Sequence, residues 1–166
     1  IERGVIELVC TNDDVGQLVA GVIEGMQPNL NEKSQRLQYS NPEGPVVAFI
    51  DRQRVVQVIS NLVSNASKYS SDDTTISLEV GSDADFVSVK VSDEGPGIPK
   101  DQLAHVFDLF HRVDNESTRQ VPGTGQGLYL VKQLVQLHGG RVGITSEDSG
   151  DATGTSVTVE FPINAS

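Results

Sequence analysis

The chain has 166 residues, a formal net charge of -11, one cysteine and no tryptophan. Its length supports one buried core and is short for two domains, and its acidity argues against nucleic acid or an acidic membrane as partner, either of which demands a basic patch. The lone Cys10 excludes an intramolecular disulfide framework and fits a reducing compartment.

In chain order, Val5 to Cys10 is a short, largely apolar run interrupted by Glu7 and predicts a first strand. Val15, Leu18, Val19, Val22, Ile23 and Met26 then follow helical spacing, with Asn12, Asp13 or Asp14 as N-cap. Leu37–Ser40 and Val46–Asp51 read as strands separated by the turn Asn41-Pro42-Glu43-Gly44-Pro45. Asp51 caps a long helix that runs to Ser70. Thr74–Val80 and Phe86–Ser92 form a predicted hairpin through Gly81-Ser82-Asp83-Ala84-Asp85. The stretch Asp93 to Pro99, DEGPGIP, cannot be regular structure, and Asp101–Phe110 has room for one or two short helical turns. From His111 to Gly127 the chain is polar and glycine-punctuated, too long for an ordinary connection. Leu128–His138 is a helix ended by Gly139-Gly140, and Arg141–Glu147 with Thr155–Phe161 close the chain as strands. There is no internal repeat, no signal-peptide pattern and no segment of membrane-spanning length. Because the chain opens at Ile1 rather than Met, a regulatory or membrane-spanning part is expected outside it. The expected fold is α+β: one domain over 1–166, a two-layer sandwich with three main helices on one face of a mixed, mostly antiparallel sheet.

The helix from Asp51 to Ser70 carries two stripes. Val55, Val58, Ile59, Leu62 and Ala66 form an apolar face, while Asn61, Asn65 and Lys68 share a neighbouring one. Asparagine is a mediocre helix former, so two in mid-helix cost stability without structural return. A neutral oxygen donor beside an ammonium suits a metal-bound polyphosphate. Read alone, the same residues are a solvated helix edge.

Two glycine-rich segments add to this. In Asp93-Glu94-Gly95-Pro96-Gly97-Ile98, the glycines allow a sharp turn and close approach to a planar ligand. Asp93 offers an acceptor for an exocyclic amine, which would select adenine; a tight turn ending in an acid is an equally good reading of that segment alone. Gly123-Thr124-Gly125-Gln126-Gly127 leads into a helix, exposing amides and the helix dipole to an anion. Its spacing matches neither the dinucleotide fingerprint nor the phosphate-loop lysine motif.

Taken in order, the Asn-x-x-x-Asn-x-x-Lys-Tyr helix, the Asp-x-Gly-x-Gly turn, the Phe-x-x-Phe segment and the Gly-x-Gly-x-Gly helix start resemble the catalytic, ATP-binding domain of bacterial sensor histidine kinases. That domain belongs to the superfamily shared with DNA gyrase B, mismatch-repair ATPases and a heat-shock chaperone, the Bergerat ATP-binding fold. The resemblance implies Mg²⁺ and ATP as cofactors. It implies that Asn65 coordinates the metal, with Asn61 supporting it one turn earlier, that Lys68 contacts phosphate, and that Tyr69 lies near the nucleoside. It makes Asp93 the adenine-recognising acid, with Gly95 and Gly97 allowing close approach and Ile98 lining the base pocket. Phe107 and Phe110 would anchor a lid over 111–122, and Arg112, with Arg119 as competitor, would reach the γ-phosphate. Gly123, Thr124, Gly125, Gln126, Gly127 and Leu128 would form the second box, and Gly154-Thr155 a weaker final motif. Gln126 departs from the leucine usual in the family. Residues 1–12 resemble a junction from a dimerisation hairpin.

The implied function is donation of the γ-phosphoryl group of ATP to a histidine on a separate dimerisation domain of a two-component kinase. A response regulator is the downstream partner. His105, His111 and His138 lack the context of a phosphoacceptor and are expected to be surface or capping residues, so the chain alone should not phosphorylate itself. It is expected to be monomeric and cytoplasmic, and its parent a homodimer. Three alternatives remain open. An ATP hydrolase of the gyrase type would carry a glutamate at Asn61 to activate water. A serine kinase of the anti-sigma-factor type shares the glycine boxes. A degenerate docking module would have lost some of Asn65, Lys68 and Asp93.

Overall fold

The computed structural model describes residues 6–40, 42–108, 127–150 and 153–164. A five-stranded sheet supports three longer helices. β2 (Arg36–Ser40), β4 (Thr75–Ser82), β5 (Phe86–Ser92), β7 (Gly154–Pro162) and β6 (Arg141–Glu147) lie side by side in that order. β2 and β4 run parallel, and the other three pairings are antiparallel. The mixed, mostly antiparallel α+β sandwich read from the sequence is therefore the architecture of the molecule.

Strand side chains explain the layering. Ile76 and Leu78 on β4, Val87, Val89 and Val91 on β5, and Val157, Val159 and Phe161 on β7 are buried. The residues between them face the other side, and nearly all are polar or glycine, as a sheet covered on one face requires. Over the apolar face lie α1 (Val15–Glu32), α2 (Arg52–Tyr69) and α4 (Gly127–Leu137), with α2 packed against both other helices. Its predicted apolar stripe, Val55, Val58, Ile59, Leu62 and Ala66, is buried in full, together with Val63. A short helix, α3 (Lys100–Leu103), follows the turn after β5.

Both long helices before the hairpin start as expected. Asp14 caps α1, its Oδ1 accepting from Gly16 N at 3.0 Å and from Val46 N at 3.2 Å. Asp51 caps α2, accepting from Arg54 N at 3.3 Å. The far end of α2 is held from outside the helix. Lys33 Nζ donates to the carbonyls of Ser67 and Ser70, and the buried Gln35 donates to those of Ser67, Ser70 and Ser71. The last carbonyls of a helix lack partners within it, and these two side chains supply them.

One expectation is corrected. Residues 6–10 of the expected first strand Val5–Cys10 are not strand, and the first strand among the described residues is β1 at Thr11–Asp14, which is polar. It is held by backbone pairing to β3 (Val47–Ile50), from Thr11 opposite Ile50 to Asp14 opposite Val47, so side-chain alternation carried no information. Val9, in the segment expected to be the strand, is 75% exposed and donates its N–H to Asp51 Oδ2 at 2.9 Å. β2 and β3, the strands on either side of the predicted turn, do not pair with each other: β3 joins β1 in a separate ribbon, while β2 pairs in parallel with β4.

Candidate functional site

Three segments distant in sequence meet at the C-terminal half of α2. Gly127, the first residue of α4, lies against Asn65: a Cβ on that glycine would sit 3.6 Å from Asn65 Oδ1. The turn after β5 lies against the last turn of α2, where a Cβ on Gly95 would come within 2.6 Å of the Tyr69 carbonyl oxygen. Only glycine permits that approach. Asn61, Asn65 and Tyr69 are partly exposed and Lys68 is exposed. Among the described residues, the side chains of Asn61, Asn65 and Lys68 make no hydrogen bond, so their donors and acceptors are available to a ligand.

The turn itself is held on several sides. Asp93 N donates to Thr155 O at 2.9 Å. Asp93 Oδ1 accepts from Gly95 N at 2.9 Å and from Thr155 N at 3.2 Å, which leaves Oδ2 without a protein donor among the described residues. Desolvation raises the Asp93 carboxyl above its ordinary value, opposed by those two backbone hydrogen bonds. Gly97 adopts φ +81°, and a Cβ there would collide with the Glu147 carbonyl, so both the conformation and the space call for glycine. Thr153 Oγ1 donates to Gly95 O at 2.7 Å, and Ile98 N donates to Ser146 Oγ at 2.7 Å. A polar depression of about 210 Å³ beside Asp93 and Glu94 is lined by Gln38, Thr75, Ser77 and Ser92. Those four strand residues alternate with buried ones, so it opens on the sheet face opposite the helices and α2.

Of the residues singled out in the sequence, Asn61, Asn65, Lys68, Tyr69, Asp93, Gly95, Gly97, Ile98 and Gly127 thus lie on the three converging segments, and Thr155, on β7, bonds to Asp93. Leu128 and Phe107 instead pack, partly buried, on the core. Phe110, Arg112, Arg119, the lid at 111–122, Gly123, Thr124, Gly125 and Gln126 lie outside the described residues. His138, expected at the surface or as a cap, is a half-buried link between helices. Its Nε2 accepts from Asp51 N at 3.1 Å, its Nδ1 lies 2.8 Å from Leu134 O, and its ring meets Phe161 edge-on. Ser146 and Thr153 carried no sequence signal, because a hydroxyl in a strand or loop has no spacing that marks its partner.

The two-layer sandwich thus sets a carboxylate-bearing glycine turn and the start of α4 against the C-terminal half of α2. The family described as "Histidine kinase-, DNA gyrase B-, and HSP90-like ATPase" matches residues 50–165, and the chain belongs to it. Sensor histidine kinase WalK of Bacillus subtilis (strain 168) is 38% identical over 134 residues, 78% of this chain and 21% of that protein. Full-length ShkA, solved in complex with AMPPNP, superposes with a TM-score of 0.79 at 27% identity, covering 98% of this chain and 33% of that one. The catalytic domain of histidine kinase ThkA shares the fold, with a TM-score of 0.80 at 22% identity over 94% of this chain and 99% of that one. The chain therefore spans about a fifth of the WalK relative's length.

Proposed function

We propose that this chain binds Mg-ATP and donates its γ-phosphoryl group to a histidine carried on a separate helical hairpin, as the catalytic domain of a two-component sensor kinase. The observation that carries this reading is the meeting of α2, the Asp93 turn and the start of α4 around polar groups that have no hydrogen-bond partner among the described residues.

Each residue's role follows from its chemistry. Asp93 Oδ2 is the free acceptor for the exocyclic amine of adenine, since Oδ1 is already occupied by two amides. Lys68, exposed in the last turn of α2, is placed to offset phosphate charge. The N-terminus of α4 at Gly127 directs its amides and dipole toward an anion next to Asn65. Asn65 fits Mg²⁺, a hard ion that favours oxygen ligands and shares them with substrate phosphates. The ion supplies charge neutralisation of the triphosphate when bound. The chain's residues bind and orient the nucleotide, and phosphoryl transfer then depends on positioning and electrostatics more than on covalent chemistry by the protein. Asn61 cannot accept a proton at neutral pH, which disfavours water activation and hence an ATP hydrolase. The intact Asn65, Lys68 and Asp93 disfavour a degenerate docking module.

In the parent protein we place the dimerisation hairpin before residues 1–12, with a response regulator as the final acceptor. Calorimetric titration with a non-hydrolysable ATP analogue, with and without Mg²⁺, tests the binding step. Saturable, magnesium-enhanced binding is expected. Absence of any heat with either titrant would sink the proposal. Transfer is tested by adding a histidine-bearing hairpin and following label from γ-labelled ATP.

A further inference from the structure

We propose that Ser146, on the edge strand β6 and outside every glycine-rich motif, is a positioning residue for base recognition. The inference rests on the nucleotide reading of the site and deepens it.

Ser146 faces the helical side of the sheet, in line with Val142 and Ile144. Its Oγ accepts from Ile98 N at 2.7 Å, lies 3.0 Å from Gly154 O and 2.8 Å from Thr155 Oγ1. A hydroxyl has one proton and two lone pairs. The Ile98 amide takes one lone pair, and the proton goes to the Gly154 carbonyl or the Thr155 hydroxyl. One atom thus ties together the end of the Asp93–Ile98 turn and the first residues of β7.

The turn has two anchors with different partners. Its Asp93 end is fixed by the main chain of Thr155, through Asp93 N to Thr155 O and Thr155 N to Asp93 Oδ1. Its Ile98 end is fixed only by Ser146 among the described hydrogen bonds. Between them, Gly97 lies so close to the Glu147 backbone that the turn cannot settle further in that direction. Pro96 and Pro99 narrow the backbone choices of the same stretch. Replacing Ser146 by alanine removes the acceptor for Ile98 N and frees one end of a turn whose other end carries the free Asp93 oxygen. A single directional hydrogen bond to a base tolerates little displacement of its acceptor.

The test compares β,γ-imido analogues of ATP and of inosine triphosphate, both with Mg²⁺, by calorimetry on the wild-type protein, Ser146→Ala, Ser146→Thr, Asp93→Asn and the Ser146→Ala/Asp93→Asn pair. The inosine base carries an oxygen where adenine carries the amine, so it cannot donate to Asp93. Ser146→Ala is expected to weaken the adenine analogue by roughly tenfold, the equivalent of one hydrogen bond. The inosine analogue should change less than about twofold, within the scatter of unaffected sites. Ser146→Thr keeps the hydroxyl and should restore the preference, and Ser146→Ala should add little in the Asp93→Asn background, because the two act through one contact. Should alanine prevent folding, Ser146→Cys keeps the volume with a far weaker acceptor and is expected to show the same loss of selectivity. Equal weakening of both analogues, or additive effects in the pair, overturns this inference alone. A wild-type protein that binds both analogues alike overturns the assignment of Asp93 to the adenine amine and this inference with it, whereas one that binds neither overturns the nucleotide reading itself.

Discussion

At the scale of single residues, Asp93, the acid proposed to recognise the base, is held at some cost to the fold. Its Oδ1 is bonded to two amides while its carboxyl is raised by desolvation, the largest influence on it. A carboxyl whose pKa is higher in the folded than in the unfolded state binds more protons when folded, so stability falls as pH rises between the two values. Stability is therefore greatest below the ordinary carboxylate range, declines as pH passes through the raised pKa, and is level above it. Asp93→Asn retains an acceptor for Gly95 and Thr155 and carries no charge. The apo variant is expected to melt at or above the wild-type temperature at neutral pH, with the difference shrinking as pH falls toward the ordinary carboxylate range. Thermal melts of both proteins across that range check this. A variant that melts well below wild type at neutral pH would make the negative charge itself structural. The same substitution should abolish adenine preference, which separates binding from folding at this residue.

At the scale of elements, α2 is the part of the molecule that the rest holds in place. Its N-terminus is capped by Asp51, and the backbone N–H of that same residue donates to His138 Nε2 at the end of α4. Leu134 O can only accept, so the proton lies on Nδ1 and the imidazole is the neutral tautomer that leaves Nε2 free to accept. Asp51 also takes the N–H of Val9, so the N-terminal segment, α2 and α4 are joined at one buried residue. α2 and α4 thus run antiparallel, pinned by Asp51 and His138 at one end and facing each other through Asn65 and Gly127 at the other. His138→Ala leaves the Asp51 amide without its acceptor and removes an edge-on contact with Phe161. We expect a loss of about 1–3 kcal/mol, the cost of an unsatisfied buried donor. Chemical denaturation of the apo protein measures it, and an unchanged midpoint would show that another acceptor replaces the imidazole.

At the scale of the whole molecule, ligand binding and stability are linked, because a ligand that binds only the folded chain stabilises it by mass action. Mg-ATP analogue at 100 times its Kd should add about 2.7 kcal/mol. Asn65→Ala is expected to lose most of that increment while leaving the apo melting temperature near the wild-type value, since the Asn65 side chain makes no hydrogen bond among the described residues. A differential melting experiment with and without nucleotide checks both halves. Equal losses in the apo and liganded proteins would make Asn65 a structural residue instead.

The order of elements, the buried stripe of α2, both N-caps and the hairpin of β4 with β5 were legible from the sequence, because each depends on residues near one another in the chain. Periodicity reports which side of an element is apolar, and a capping side chain sits within a turn of the amides it bonds. That Asn61 and Asn65 share one face of α2 and that Asp93 opens a glycine turn was legible for a similar reason, because each lies within a short motif. Long-range pairing was not. β1 is polar and chosen only by its partner β3, β2 and β3 part company despite a good turn between them, and His138 meets Asp51 from 87 positions away. The clamp of Ser146 on Ile98 belongs with these, joining residues 48 positions apart through a hydroxyl that no spacing announces. Local patterning by itself determined the helices, most of the strands, the core face of each and the residue types offered to a ligand. Only the tertiary structure decided which strands pair and which side chains hold the site in shape, because those choices are made between surfaces that exist only once the chain has folded.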